Sequence, residues 1–155
     1  MRNPRVVAID WVALQRAFER LDATCEGEPH PYLNLRTGKV AYFGANGCTN
    51  LSDTLDLDRY VALTLSEQAL RDRHARLRAF IATVPEPELS LRLREALSQQ
   101  GGMGAFYDIL LEHPHHHARW QRTEAPRLYA LIEEWLRSEG LEGLTAPPWR
   151  QLANQ

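Results

Sequence analysis

The sequence predicts an α+β fold in which an N-terminal helix precedes a small antiparallel sheet and a C-terminal bundle of four to five helices. Apolar residues recur at helical spacing after Asp10, which predicts the first helix. Two short apolar segments then flank a turn that ends at Gly38, which predicts a hairpin in the sheet. Helical spacing returns after Ser66 and continues to about Gly140. The sheet has three strands, or four if Val6 to Ile9 also pairs.

The composition is that of an ordinary globular chain of 155 residues, with 44% hydrophobic and 25% charged residues. A chain of this length buries roughly 70% of its unfolded surface, so its core needs no disulfide or metal. We expect one α+β domain over residues 1–140 and a C-terminal tail over residues 141–155. The net charge of -2 excludes a general positive field that would attract nucleic acid or an anionic membrane.

The two cysteines and the N-terminal stretch bear on the cellular location. Cys25 and Cys48 are isolated and lack CxxC spacing, so they predict neither a disulfide framework nor a zinc site. The first residues include four apolar ones, fewer than a signal peptide requires, and no run of about 18 apolar residues follows. We therefore expect a cytoplasmic protein with free thiols and no membrane partner.

The first helix begins after Asp10, whose carboxylate can accept hydrogen bonds from the free amides of the first turn. Ile9 can pack on Leu14 as a hydrophobic staple, and the helix should end near Asp22. The core-facing stripe consists of Trp11, Leu14, Phe18 and Leu21.

The letters YLNLRTGKVAYF form the clearest hairpin signal in the chain. Gly38 can take a positive φ, so it should close a three-residue loop that begins at Arg36. Both faces of the hairpin then hold apolar side chains, and other elements must cover it because a hairpin is marginal alone. The expected register places Tyr32 opposite Tyr42 and Leu33 opposite Ala41.

A third strand is predicted over Arg59 to Leu65, where apolar residues alternate after a long polar loop at residues 44–58. A helix over residues 66–84 follows, with Ser66 as its cap. One face of this helix carries small residues, which predicts that a second helix packs closely on it. These small residues are Ala75, Ala79 and Ala82.

The later helices are separated by breaks at Pro85 and Pro87, at Gly101 and Gly102, and at Pro114. The segment between the last two breaks is apolar on most sides, so we expect it to be central. A last long helix should end at a left-handed cap on Gly140. The tail beyond it lacks periodicity, and Trp149 is its expected anchor.

Several of these motifs together resemble a small bacterial family of uncharacterised proteins. Its members carry YLDLETGEV, YVRI, GAFRRFKDVL followed by proline, RWY and REWL, where this chain has YLNLRTGKV, YVAL, GGMGAFYDIL followed by proline, RWQ and EEWL. The resemblance spans about residues 9–137 and implies an α+β layout, but it implies no activity. In the hairpin, the chain departs from the family at Asn34, where the family has Asp, and at Arg36 and Lys39, where it has Glu. It also departs at Gly104, Ala105 and Tyr107, where the family has basic residues.

The run from His113 to His117 is the one segment that suggests a metal. His113 and His117 would share a helix face at four-residue spacing, as pairs of zinc ligands do. A third ligand is missing from the sequence around them, and solvated histidines are the simpler interpretation. We therefore assign no metal site and no cofactor, with His113 and His117 as weak candidates.

Four arginines in the helix over residues 66–84 could contact phosphates. They fall on both flanks of the apolar stripe, so no single basic face results, and long stems that cover the edge of a core explain them better. These arginines are Arg71, Arg73, Arg76 and Arg78. A nucleic-acid-associated protein that uses this helix is one alternative function, and a metal-binding protein that uses His113 to His117 is a further one.

The sequence contains no nucleophile elbow, phosphate-binding loop or dinucleotide-binding glycine motif, so we assign no catalytic residues. We predict a non-catalytic module that binds a protein partner. A two-fold homodimer is one such partner, since apolar side chains on both sheet faces need cover. The interaction candidates are Tyr32, Val40, Tyr42, Arg71, Arg78 and Trp149.

Overall fold

The computed structural model describes residues 4–21, 30–43, 59–99 and 102–153, which form two compact units. The first unit holds the described residues 4–19, 30–43, 59–64 and 127–153, and the second holds 20–21, 65–99 and 102–126. Among the described residues, every strand belongs to the first unit. The α+β class is confirmed.

The described strands are β1 (Arg5–Val7), β2 (His30–Asn34), β3 (Val40–Phe43), β4 (Tyr60–Ala62) and β5 (Leu141–Gly143). The described helices are α1 (Trp11–Glu19), α2 (Glu67–Ala82), α3 (Pro87–Ser98), α4 (Gly102–Leu111), α5 (Pro114–Ser138) and α6 (Pro148–Ala153). None of these helices combines the length and the apolar character that crossing a membrane requires.

β2 is the central strand of a three-stranded antiparallel sheet with the order β3-β2-β4. Tyr32 of β2 lies between Ala41 of β3 and Ala62 of β4. The predicted register was wrong by one residue, because Leu33 pairs with Val40 rather than with Ala41. The sheet therefore exists as predicted, but its pairs differ.

A longer turn explains the shift in register. Asn34 still pairs with Lys39, whose carbonyl accepts from the Asn34 amide at 2.8 Å, so the loop has four residues, Leu35–Gly38, instead of the predicted three. The Asn34 side-chain oxygen accepts from the amides of Arg36 and Thr37 at 2.9 and 3.2 Å. This local turn draws Leu35 into the loop.

The predicted fourth strand does not join this sheet. β1 instead pairs in parallel with β5, with Val6 opposite Glu142. β5 and α6 lie in residues 141–155, the segment predicted to be a tail. The single domain over residues 1–140 with a tail over 141–155 stays a prediction.

α1 begins as predicted, because the Asp10 carboxylate accepts from the Ala13 amide at 3.1 Å. It ends at Glu19, and Asp22, its predicted end, lies outside the described residues. All four residues of the predicted stripe are buried. Within the first unit, Phe18 contacts Trp135 edge to face, with ring centroids 5.4 Å apart.

The second unit has a core of apolar side chains from α2, α3, α4 and the start of α5. The cap of α2 is Ser66, whose hydroxyl accepts from the Ala69 amide at 3.0 Å. α4 is central, as predicted, because Met103, Phe106 and Leu110 are fully buried. The core consists of Leu77, Phe80, Ile81, Val84, Leu89, Leu93, Met103, Phe106, Tyr107, Leu110 and Trp120.

The predicted helix contact on the alanine face of α2 was wrong, because Ala75, Ala79 and Ala82 are all exposed. Small residues permit the close approach of a second helix but do not require one. The buried face of α2 is the opposite one, which carries Leu77 and Ile81.

We expect Ala79→Leu to change the free energy of unfolding by less than about 0.5 kcal/mol, because the new side chain enters solvent. The matched control is Leu77→Ala in the same helix, which removes a fully buried side chain and should cost about 2–5 kcal/mol. Urea denaturation measures both. A loss above about 1 kcal/mol for Ala79→Leu would place that face in a packed interface.

Candidate functional site

β3 and β4 are the two edge strands of the sheet. Along β3, the backbone amide and carbonyl groups of successive residues point alternately toward β2 and away from it. In an antiparallel ladder, residues that exchange hydrogen bonds alternate with residues that do not. Asn34 and Lys39 are bonded, so the next bonded pair is Tyr32 with Ala41. The amide and carbonyl groups of Val40 and Tyr42 therefore point away from β2.

The backbone groups at this edge that point away from β2 are hydrogen-bonded at Gly38, but none of the described residues bonds to them farther along β3. The Gly38 carbonyl accepts from the Asp10 amide at 2.8 Å, so the residues before α1 lie against the edge at this point. In the described part of the chain, no hydrogen bond reaches the outward groups of Val40 and Tyr42. Tyr42 is 56% exposed and Val40 is half-buried. This short open stretch, residues 40–42, is called the β3 edge below.

The two faces of the sheet differ in character. Val40 and Tyr42 lie on the same face as the fully buried Leu33, which is the core face. The other face carries a row of half-buried aromatic rings that meet edge to face at centroid distances of 5.5, 5.6 and 5.2 Å. This row consists of His30, Tyr32, Phe43 and Tyr60.

The three strand tyrosines therefore do not form one platform, because Tyr32 and Tyr60 lie on one face and Tyr42 on the other. Stacking surfaces for single-stranded nucleic acid need aromatic rings on one face together with basic side chains. The aromatic face carries a single lysine, Lys39, with His30 and Asn34 beside its tyrosines, and Asn34 donates to the Tyr60 hydroxyl at 3.3 Å. The polar and aromatic side chains of this face therefore contact one another within the sheet.

A cavity of about 700 Å³ lies beside β5 in the first unit. In the parallel pair, the Arg5 amide donates to the Gly140 carbonyl and the Leu144 amide donates to the Val7 carbonyl. The backbone groups of Leu141 and Gly143 therefore point away from β1. The cavity walls include Trp11, Leu136, Arg137, Leu141, Gly143 and Arg150.

Trp149 lies close to this cavity and anchors α6. Its ring stacks on Tyr129, with centroids 4.4 Å apart and planes 6° apart, and meets Trp11 edge to face at 5.4 Å. Its indole N–H donates to Glu133 at 3.4 Å. The anchoring role that the sequence suggested is present. Its role as an interaction residue stays a prediction.

The arginines of α2 do not form a basic surface. Arg73 is fully buried, and its guanidinium donates to the Leu21 carbonyl and the Tyr107 hydroxyl at 3.4 Å. Arg76 is held by a carboxylate, so only Arg71 and Arg78 are exposed. Arg71 donates to Gln68 at 3.3 Å along the same helix.

The carboxylate that holds Arg76 belongs to Glu124 of α5, which is only 3% exposed. Two parallel hydrogen bonds of 2.9 and 2.6 Å join the guanidinium to both carboxylate oxygens. These bonds raise the pKa of Arg76 above its ordinary value, although partial burial acts in the opposite direction. The pair fixes α2 to α5 within the second unit.

The histidine run places its members in different surroundings. His113 and His117 are half-buried, and the structure groups no three potential metal ligands among the residues it describes. His116 is 8% exposed, so the interpretation of all these histidines as solvated was wrong for this residue. Nδ1 of His116 accepts from Arg119 at 3.3 Å, so in the neutral ring Nε2 donates to Glu86 at 2.9 Å.

Arg119 continues this network toward the end of α2. Its guanidinium donates to the Thr83 hydroxyl at 2.6 Å and lies 4.4 Å from the centre of the Phe80 ring. The Thr83 hydroxyl donates to the Phe80 carbonyl at 2.6 Å. The network joins the end of α2 to the starts of α3 and α5.

We expect His116→Ala to lower the free energy of unfolding by about 1–3 kcal/mol, because it removes the two hydrogen bonds of a buried ring and each such bond contributes about 0.5–1.5 kcal/mol. His115→Ala, at the exposed neighbouring position, is the control and should stay within about 0.5 kcal/mol. Thermal denaturation of both variants measures the difference. Equal stability of the two would mean that the His116 contacts add nothing.

Residues 4–146 match the sequence model of the uncharacterised protein family UPF0158. The chain belongs to this family. The match confirms the predicted membership of an uncharacterised family, and it includes β1 through β5 while stopping before α6. No curated protein and no solved structure matches the chain.

Two residues of this UPF0158 chain could have been found from the sequence but were not. Glu124 lies four residues after Trp120 and four before Leu128, so it occupies the apolar stripe of its helix. A carboxylate in such a stripe predicts a buried cationic partner. His116 lies four residues before Trp120 on the same stripe, which distinguishes it from His115 and His117.

Proposed function

We propose that this UPF0158 protein is a non-catalytic protein-interaction module, and that its partner adds a strand to the β3 edge. The observation that carries the proposal is the open backbone of Val40 and Tyr42 beside an exposed tyrosine ring. In strand addition, main-chain hydrogen bonds supply affinity, and the alternating side chains supply selectivity. The partner is a cytoplasmic protein, a second copy of this chain included.

The composition of the β3 edge supports the proposal. Soluble proteins protect open strands with charged residues, proline or bulges, because bare edges pair with other chains. Residues 40–43 read VAYF and contain none of these, and Lys39 is the nearest charge. A partner strand would satisfy the open backbone groups of β3, so that other chains could no longer pair with them, and the same groups would serve for recognition.

The test compares proteins captured from the native cytoplasm by the wild type and by two variants. Tyr42→Lys places a charge on the β3 edge, whereas Leu91→Lys, the control, places one at a similarly exposed position in α3 of the second unit. We expect capture of the specific partner to fall at least tenfold for Tyr42→Lys and to be unchanged for Leu91→Lys. Equal capture by all three proteins would contradict the proposal.

A further inference from the structure

We infer that the strand which adds to the β3 edge is β3 of a second copy of this chain, antiparallel and related by a two-fold axis at Ala41. This inference rests on the proposed function, because it names the occupant of the same edge. The three-stranded sheet of each copy would continue into that of the other.

The backbone allows this register. Val40 and Tyr42 are the positions whose amide and carbonyl groups point outward, and an axis at Ala41 places Val40 opposite Tyr42 of the second copy. The outward amide and carbonyl groups of Val40 then bond to the carbonyl and amide groups of Tyr42 in the second copy, and the reverse pair forms in the same way. No outward group of the β3 edge is left without a bond.

The ends of the edge fit the same register. Asp10 occupies the edge at Gly38, so an added strand must stop before it reaches this residue. β3 ends at Phe43, and in the proposed register Phe43 of the second copy lies opposite Lys39. The added strand therefore ends one residue before the occupied position.

The side chains also match across the axis. The two Ala41 residues form a non-bonded pair, in which Cα atoms approach to about 4.5 Å and small side chains fit best. On the core face, Val40 packs against Tyr42 of the second copy, which covers the exposed ring. On the aromatic face, Lys39 lies opposite Phe43 of the second copy, where an ammonium and a ring attract each other.

The charges do not oppose the contact. The two Lys39 residues lie at opposite ends of the paired strands, roughly 14 Å apart at about 3.4 Å per residue. This separation exceeds the Debye length of about 8 Å at physiological salt, so their repulsion is screened. No other charged residue lies between positions 39 and 43.

A second copy also explains how such an edge remains soluble. A two-fold contact uses the same surface on both chains, so it closes after one addition and cannot grow into a fibre. β3 has only four residues, so we expect the contact to bury less than the roughly 1,200 Å² of stable interfaces. We therefore expect a dissociation constant in the micromolar range.

The decisive experiment is cross-linking through the axis. Ala41→Cys is made in a chain whose Cys25 and Cys48 are replaced by serine, and the protein is oxidised mildly at micromolar concentration. A Cα separation of about 4.5 Å lies within the range that a disulfide spans, so we expect a covalent dimer. Thr64→Cys in the same background is the control, since Thr64 is exposed in the first unit and outside the β3 edge.

Sedimentation equilibrium of the unoxidised wild type supplies the second measurement. We expect a monomer–dimer equilibrium that Tyr42→Lys weakens at least tenfold and Leu91→Lys leaves unchanged, with circular dichroism verifying that both variants are folded. Equal cross-linking at Ala41→Cys and Thr64→Cys would overturn the inference, because random collisions then explain both.

The outcomes separate this inference from the proposed function. A strictly monomeric wild type whose capture of another protein still depends on Tyr42 would overturn the homodimer and leave the β3 edge as a binding site. A monomer whose captured proteins do not depend on Tyr42 would overturn both.

Discussion

Gly38→Ala should destabilise the first unit by more than about 3 kcal/mol, although alanine adds only a methyl group. Gly38 has a φ of 74°, which already costs an L-residue about 1–2 kcal/mol. A Cβ atom there would also lie 1.7 Å from the Ala8 carbonyl oxygen, far inside any real contact. The backbone itself must move to admit it. Gly38→Val should cost more still, because a β-branched residue is especially strained at positive φ.

Gly140→Ala is the matched control for this prediction. Gly140 has a φ of 69° and also lies in the first unit, but a Cβ atom there would meet nothing within 4 Å. Gly140→Ala should therefore lower the free energy of unfolding only by the cost of a positive φ, about 1–2 kcal/mol. Urea denaturation followed by tryptophan fluorescence gives both values. Equal losses would show that the residues before α1 move away from the hairpin at little cost.

Arg76→Met should lower the stability of the second unit by about 3 kcal/mol, because it leaves the Glu124 carboxylate buried without its cation. The double variant Arg76→Met with Glu124→Leu removes both charges and should recover most of that loss. Chemical denaturation of the single and double variants measures the recovery. A double variant as unstable as the single one would mean that packing of the arginine stem, rather than the charge, carries the effect.

The pair of Arg92 with Glu112 supplies the control in the same unit. Its nitrogen and oxygen atoms lie 3.2 Å apart, but both side chains are at least half exposed. Solvent screens such pairs, so Arg92→Met should cost less than about 1 kcal/mol. The contrast between the two arginines isolates the contribution of burial.

The hairpin shows what local sequence can predict and where it fails. The existence of the strands and the positive φ of Gly38 follow from alternation and from the conformational freedom of glycine, and both are confirmed. The register depends on the Asn34 side chain, because its carbonyl oxygen accepts hydrogen bonds from the amides of Arg36 and Thr37 and so stabilises a longer loop. The sequence alone does not show which backbone amides the side chain of an asparagine before a turn will bind.

Long-range pairing could not be predicted from periodicity. β1 and β5 have three residues each, and each finds its only described strand partner at the other end of the sequence. β1 reads RVV and β5 reads LEG, and neither is long enough to show the alternation that predicts a strand. Val40 and Tyr42 were named as interaction candidates from the sequence, but the position of β3 at an edge was not predicted, because it depends on which strand is central.

The pairing of β1 with β5 has a consequence for the order of folding during synthesis. The first unit combines early segments with residues 127–153, whereas most of the second unit is continuous in sequence over residues 65–126. The ribosome releases the second unit first, so it can fold while the first unit still lacks β5. Until residues 127–143 emerge, Phe18 of α1 also lacks Trp135, the ring that it contacts in the folded unit, so we expect the apolar stripe of α1 to be open to chaperones during that interval.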